Sequence, residues 1–209
     1  MSRYLYVVDP VSRLYTLDPA TASSRLVGSV GIANVTDIAF HGLTLYGVSF
    51  SQFLKLNPDT GAGVVVGAVG FTTNGLAVAA DGTIYGAAGG QLIRINPVTG
   101  VGTLVGNLGG GLVSSGDLAF DSNDVLYGAL DLGGAVVLAR INRNTGAATI
   151  IGSMGLSNVY GLAFFCCRLY GASEIGELVD INVATGKATV IGKNTLAHWG
   201  MTARPCCGC

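Results

Sequence analysis

Two aspartates occupy matching places in a chain otherwise poor in charge. Asp37 and Asp117 each stand directly before a small apolar triplet, Ile38-Ala39-Phe40 and Leu118-Ala119-Phe120. Related triplets follow Asn74-Gly75, Tyr160-Gly161 and His198-Trp199-Gly200. Asp and Asn offer directional hydrogen bonds, and Trp and Tyr offer flat stacking faces. Brought to one place, Asp37, Asn74, Asp117, Tyr160, His198 and Trp199 would suit a small polar molecule or a glycan. Two carboxyl groups roughly 5–10 Å apart would also meet the first requirement of glycoside hydrolysis, an acid with a nucleophile or base. The competing reading is structural: such residues cap loop amides and fill a channel.

Other chemistries find little support. His41 and His198 are too few for a three-His metal site, and His41 reads as a solvated turn residue. Neither a GxSxG elbow, an HExxH helix nor a phosphate loop occurs. Gly109–Gly111 is followed by Leu112 without a helical pattern, which argues against a phosphate cradle. We expect no cofactor, no bound metal and no catalytic residue. The five cysteines fall in two places, Cys166-Cys167 and Cys206-Cys207 with Cys209. Disulfides between the clusters are one reading. A Zn²⁺ among thiolates is a second, although adjacent cysteines are an unusual ligand spacing. A link from the odd cysteine to another chain is a third, and free thiols are the remaining one.

Composition narrows the partners. Charged residues make up 11% of the 209, against a usual figure of about 25%. A net charge of −1 without any basic run argues against nucleic acid. No apolar stretch reaches the ~18–20 residues of a membrane-spanning helix. The start, MSRYLYVVDP, lacks the apolar core of a signal peptide, so export by that route is not expected unless a signal was replaced. A mean hydropathy of +0.56 predicts wide apolar surface and the option of a homo-oligomer.

A repeat must position these side chains. Gln91–Gly106, QLIRINPVTGVGTLVG, reads as strand, tight turn and strand. Ile93 and Ile95 alternate with Leu92 and Arg94 as the two faces of a strand do. In the turn, Asn96 bonds the backbone two residues on, Pro97 presets φ, and Gly100 accepts positive φ. The turn Asx recurs at Asp18, Asn57, Asn96, Asn142 and Asn182, at spacings of 39, 39, 46 and 40 residues. Tyr6, Tyr46, Tyr85, Tyr127 and Tyr170 form a second column, and the apolar triplets, ending with Met201-Thr202-Ala203, form a third. A period near 40 residues predicts propeller blades or another repeat array. Each unit holds four short strands: A (the triplet), B (TLYG-like), C (LIRIN-like) and D (TLVG-like).

The phase of the repeat predicts how the array ends. The chain starts at a B strand, Tyr4–Val8, and finishes after an A strand, Trp199–Ala203. Pairing the two closes a ring and removes open sheet edges. The expected fold is all-β: a five-bladed β-propeller with four-stranded antiparallel blades, closed by C-terminal strand A on N-terminal strand B. As a single domain its blades span 198–209 with 1–30, then 31–68, 69–107, 108–152 and 153–193. A β-solenoid is the main competitor, but its rungs are usually shorter. Closure should also bring the two cysteine clusters side by side.

The units TLYGVS…LKLNPDTG and TIYGAA…LIRINPVTG resemble the blades of bacterial propellers related to NHL- and YVTN-type proteins. They look especially like repeat proteins of unknown function with LYG…(I/L)(D/N)PxTG units. That resemblance implies A strands around a central channel, with D–A and B–C loops on one face and A–B and C–D turns on the other. It also implies a binding platform more often than an enzyme, although some five-bladed propellers are glycosidases using carboxylates from different blades. A ligand is expected at the D–A mouth, where loops on a rigid ring converge. The longest D–A and B–C connections fall in one blade, at Gly109–Gly111 and Asp131–Gly134. The functional expectation is a non-enzymatic binding or scaffold protein, with a protein or a small polar or glycan ligand as partner. A self-assembling structural protein linked through apolar surface and cysteines is the alternative, and a channel-mouth hydrolase or lyase a second. Disulfides would favour an extracellular, cell-surface or virion setting over the cytoplasm.

Overall fold

The structure is a computed structural model and describes residues 4–204. Twenty short strands, β1 to β20 in chain order, make five four-stranded antiparallel sheets among these residues. The split blade pairs β20 (Gly200–Ala203) with β1 (Leu5–Val8), then β2 (Arg13–Leu17) and β3 (Ser24–Ser29). Val8 faces Gly200 and Leu5 faces Ala203 in that closing pair. The other four blades run straight through the chain, each from an inner to an outer strand. Their inner strands are β4 (Val35–His41), β8 (Gly75–Val78), β12 (Val113–Phe120) and β16 (Val159–Phe165). Their outer strands are β7 (Gly63–Ala68), β11 (Gly102–Asn107), β15 (Ala148–Ser153) and β19 (Ala188–Lys193). The five inner strands neighbour one another in a closed ring, with β20 between β16 and β4.

The core is divided among the blade interfaces. Five apolar clusters form, each between the facing sides of two adjacent sheets. Leu14, Ile38, Leu45 and Leu54 are fully buried in the cluster between the first two blades. Each such side chain contributes about 2 kcal/mol by leaving water. Strands with alternating apolar residues on both faces are what a sheet buried between two neighbours requires.

The turns behave as their residues dictate. Asn57 Oδ1 accepts the amides of Asp59 and Thr60 at 2.8 and 3.1 Å, and the other four turns repeat the pattern. The glycine columns do more than allow positive φ. Gly28 of one blade lies against the Thr60–Gly61 turn of the next, so closely that a methyl group at Gly28 would collide with the Thr60 carbonyl. Gly67, Gly106 and Gly152 meet the following turn in the same way. At the closing interface Gly192 faces Thr21 and Ala22 instead, and Ala22 takes φ of 59° where the other repeats have glycine.

Candidate functional site

The inner strands bring two carboxyl groups to the axis of the ring. Asp37 lies on β4 and Asp117 on β12, two blades that are not neighbours. In both strands the register against the B strand breaks next to the aspartate, between Val35 and Asp37 and between Ser114 and Leu118. Such bulges re-aim a side chain; here they turn the carboxyls inward. The same level of the other three inner strands carries Gly75, Gly161 and Gly200. A side chain at Gly200 would strike Asp37. Gly200 thus makes room for Asp37, while Gly75 and Gly161 let neighbouring inner strands approach closely.

The carboxyls are occupied by the ring itself. Asp37 accepts the amides of Ile38 at 2.7 Å and Leu76 at 2.6 Å. Asp117 accepts those of Leu118 at 2.6 Å, Leu162 at 2.7 Å and Met201 at 3.1 Å. These five residues are the first members of the five apolar triplets, so every blade donates one amide. Strand A has no further strand on its inner side, and its inward amides need acceptors; the carboxyls supply them. Asp37 and Asp117 also hydrogen-bond to each other. Burial raises both carboxyls above the ordinary range, and for Asp37 the neighbouring Asp117 charge adds to the effect.

The expected ligand set therefore separates. Asp37, Asp117 and His198 are each 0% exposed. His198 Nε2 lies 3.3 Å from Asn194 Nδ2 at the closing interface, and burial lowers its imidazole to about 4. Asn74, Tyr160 and Trp199 are half-buried on the D–A side. Asn74 Nδ2 donates to the Ser114 carbonyl at 3.2 Å, and Tyr160 hydrogen-bonds to Glu174. Trp199 donates its amide to Val8 at 2.9 Å, and its ring lies 6.3 Å from that of Phe50, tilted by 59°. Phe50 was not among the sequence candidates; it sits in a B–C turn, away from the triplet column on which those candidates were read.

A wide cavity opens on the other face. It has a volume of about 660 Å³ and is walled by the second halves of the inner strands and by the A–B turns. The small column Ala39, Ala77, Ala119, Ala163 and Thr202 runs around it, which is the sequence signal that could have located it. Cys166 and Cys167 stand at its rim, in the turn between β16 and β17 (Arg168–Ser173), with φ of 46° and 67°. Ala203, the last residue of β20, lines the same cavity. Cys206, Cys207 and Cys209 lie outside the described residues. Among the described residues no group of three or more His, Cys, Asp or Glu is placed to hold a metal, and no helix is long and apolar enough to cross a membrane.

No family model and no curated sequence matches the chain. Solved structures do. A symmetrical protein, described in terms of de novo evolutionary emergence shaped by folding constraints, aligns with a TM-score of 0.65 at 20% identity, over 95% of this chain and 97% of its own. A chain of a nidogen/laminin complex aligns with a TM-score of 0.65 at 13% identity, over 98% and 82%. The PQQ-bound aldose sugar dehydrogenase of Streptomyces coelicolor aligns with a TM-score of 0.53 at 16% identity, over 89% and 76%. At these identities the likeness is one of fold, and the fold is the five-bladed β-propeller.

Proposed function

We propose that this chain is a non-enzymatic binding propeller that holds a glycan or a surface loop of a partner protein at its D–A mouth. The carrying observation is the aromatic pair Trp199 and Phe50, half-open on that face with Tyr160 and Asn74 nearby. Flat rings on a rigid ring of strands offer stacking area at little entropic cost, and the Tyr160 phenol adds a directional bond. One structural neighbour is part of a complex between proteins, nidogen and laminin. The hydrolase alternative loses its basis, because no oxygen of Asp37 or Asp117 is open to a substrate. The test is a glycan array with thermal-shift follow-up on the wild type and on Trp199→Ala. A hit that Trp199→Ala abolishes supports the reading; a hit that survives the substitution overturns the site.

One observation favours self-assembly as a second reading. Leu26, Val65, Leu104, Ile150 and Val190 occupy the same place on the five outer strands and all are exposed. This apolar girdle would suit copies packed rim to rim. Size-exclusion with light scattering decides it: a monomer at high concentration removes this reading. Disulfides from Cys166 and Cys167 to the C-terminal cysteines, and an oxidising location outside the cytoplasm, belong to both readings. They are supported by the end of β20 and the Cys166–Cys167 turn bordering one cavity.

A further inference from the structure

The funnel on the A–B face has a definite chemical character, which follows from the carboxyl pair above it. Ile38, Leu76, Leu118, Leu162 and Met201 all direct their amides at Asp37 or Asp117. In an antiparallel strand the N–H and C=O of one residue leave on the same side. The carbonyls of these five residues therefore also turn toward the axis. Strand A runs from the D–A side to the A–B side, so the carbonyls lie one step nearer the funnel than the amides. All five residues line it. Its floor is thus a ring of hydrogen-bond acceptors with the carboxyl pair directly behind.

The walls point the same way. No Lys or Arg is among the described residues that line the funnel; its ionisable side chains there include Asp121 and one imidazole, that of His41. The next amide that faces inward on β4, that of Phe40, is taken by the Thr202 hydroxyl at 3.2 Å. Phe40, Phe120 and Phe164 give aromatic wall on three of the five blades. A cation already packs on one of them: the Arg204 guanidinium carbon lies 5.3 Å from the Phe40 ring centroid. Acceptors at the floor, aromatic faces on the wall and an acid at the rim complement a cationic donor with an apolar body. An anion would meet carbonyl oxygens and a carboxylate.

We propose that the funnel is a second binding site, independent of the D–A mouth, for a primary ammonium group on an apolar stem. An ammonium has three donors and no acceptor, which matches the carbonyl ring, and its stem would lie along the phenylalanine walls. The group can belong to a free amine or to a lysine side chain presented by another protein.

The test is an NMR titration of the full chain with n-butylammonium, butyrate and N-acetyl-lysine methylamide. Saturable shifts in Ala77, Ala119 and Ala163 with the two amines but not with butyrate are expected. Tighter binding of the lysine derivative identifies a protein lysine as the source, and tighter binding of butylammonium a free amine. Asn123→Trp, at the rim, should weaken binding by about tenfold or more, while Val11→Trp, the same bulk on the opposite face, should leave it unchanged. Both positions are surface turns, so circular dichroism will show that both variants fold. Absence of saturable amine binding into the low-millimolar range, equal binding of butyrate, or indifference to Asn123→Trp would each overturn the proposal.

Discussion

Asp37 and Asp117 hydrogen-bond to each other at the centre of the ring while their remaining capacity is spent on five backbone amides, one from each blade. The pair joins blades that never touch along their sheets. Asp117 carries the larger share, because it takes the amides of three blades, including Met201 of the strand that closes the ring. Asp117→Ala would leave three buried amides without an acceptor, each costing about 1–3 kcal/mol. The expected loss is about 3–5 kcal/mol in urea unfolding, larger than for Asp37→Ala, which orphans two. Equal losses, or none, would mean that other groups satisfy those amides.

The two buried carboxyls make stability depend on pH. In the unfolded chain both carboxyls release their protons near the ordinary value of 3.8; in the ring Asp117 holds on to about 7 and Asp37 is also raised. Above the ordinary carboxyl value the native state binds more protons than the unfolded one, so stability falls as pH rises. His198 acts in the opposite sense. Its folded value of about 4 lies below the ordinary 6.5, so its contribution is lost as pH falls through that window. Two carboxyls against one imidazole leave a net decline toward neutral pH. Melting temperatures measured between about pH 5 and pH 8 should fall for the wild type, stay flatter for Asp37→Asn, and fall more steeply for His198→Leu.

Glycines of two kinds can be told apart by substitution. Gly28→Ala places a methyl group against the Thr60 carbonyl of the next blade, and overpacking of this kind costs roughly 1–3 kcal/mol. Gly31→Ala meets no atom within 4 Å but holds φ of 76°, so it should cost only about 1 kcal/mol through backbone strain. The two variants, compared by chemical denaturation, separate blade contact from turn conformation. The reverse order would show that neighbouring blades slide apart easily.

The cysteine reading has a direct measurement. Peptide mapping under non-reducing conditions should join the peptide holding Cys166 and Cys167 to the one holding Cys206, Cys207 and Cys209. Reduction should then lower the melting temperature, because a tie near the closing strand restricts the unfolded chain over a long loop by about 2–4 kcal/mol. Peptides that run separately without reductant would remove the tie.

The blades were legible because turn and strand chemistry is local. Asn57 with Thr60, and Leu92 with Ile93, announce a turn and a strand from neighbours a few residues away, and the repeat makes the message redundant. The site was legible only in part. Asp37 and Asp117 were recognisable as exceptional members of a column, and Tyr160, Asn74 and Trp199 do stand on the D–A side. That the aspartates face each other instead of a ligand could not be read from spacing. It depends on Gly200 leaving space beside Asp37 and on Gly75 and Gly161 letting the inner strands close up, a relation among five distant strands.

By itself, the sequence determined the number of blades, their strand order and the pairing of the first strand with the last, because period and phase are properties of the chain. Tertiary structure decided what lies on the axis. Strands that end a sheet must find acceptors for their inward amides, and only the closed ring brings five such edges around two carboxyls. Closure buried the pair, separated the two faces of the channel, and left a funnel on the side away from Trp199 and Phe50.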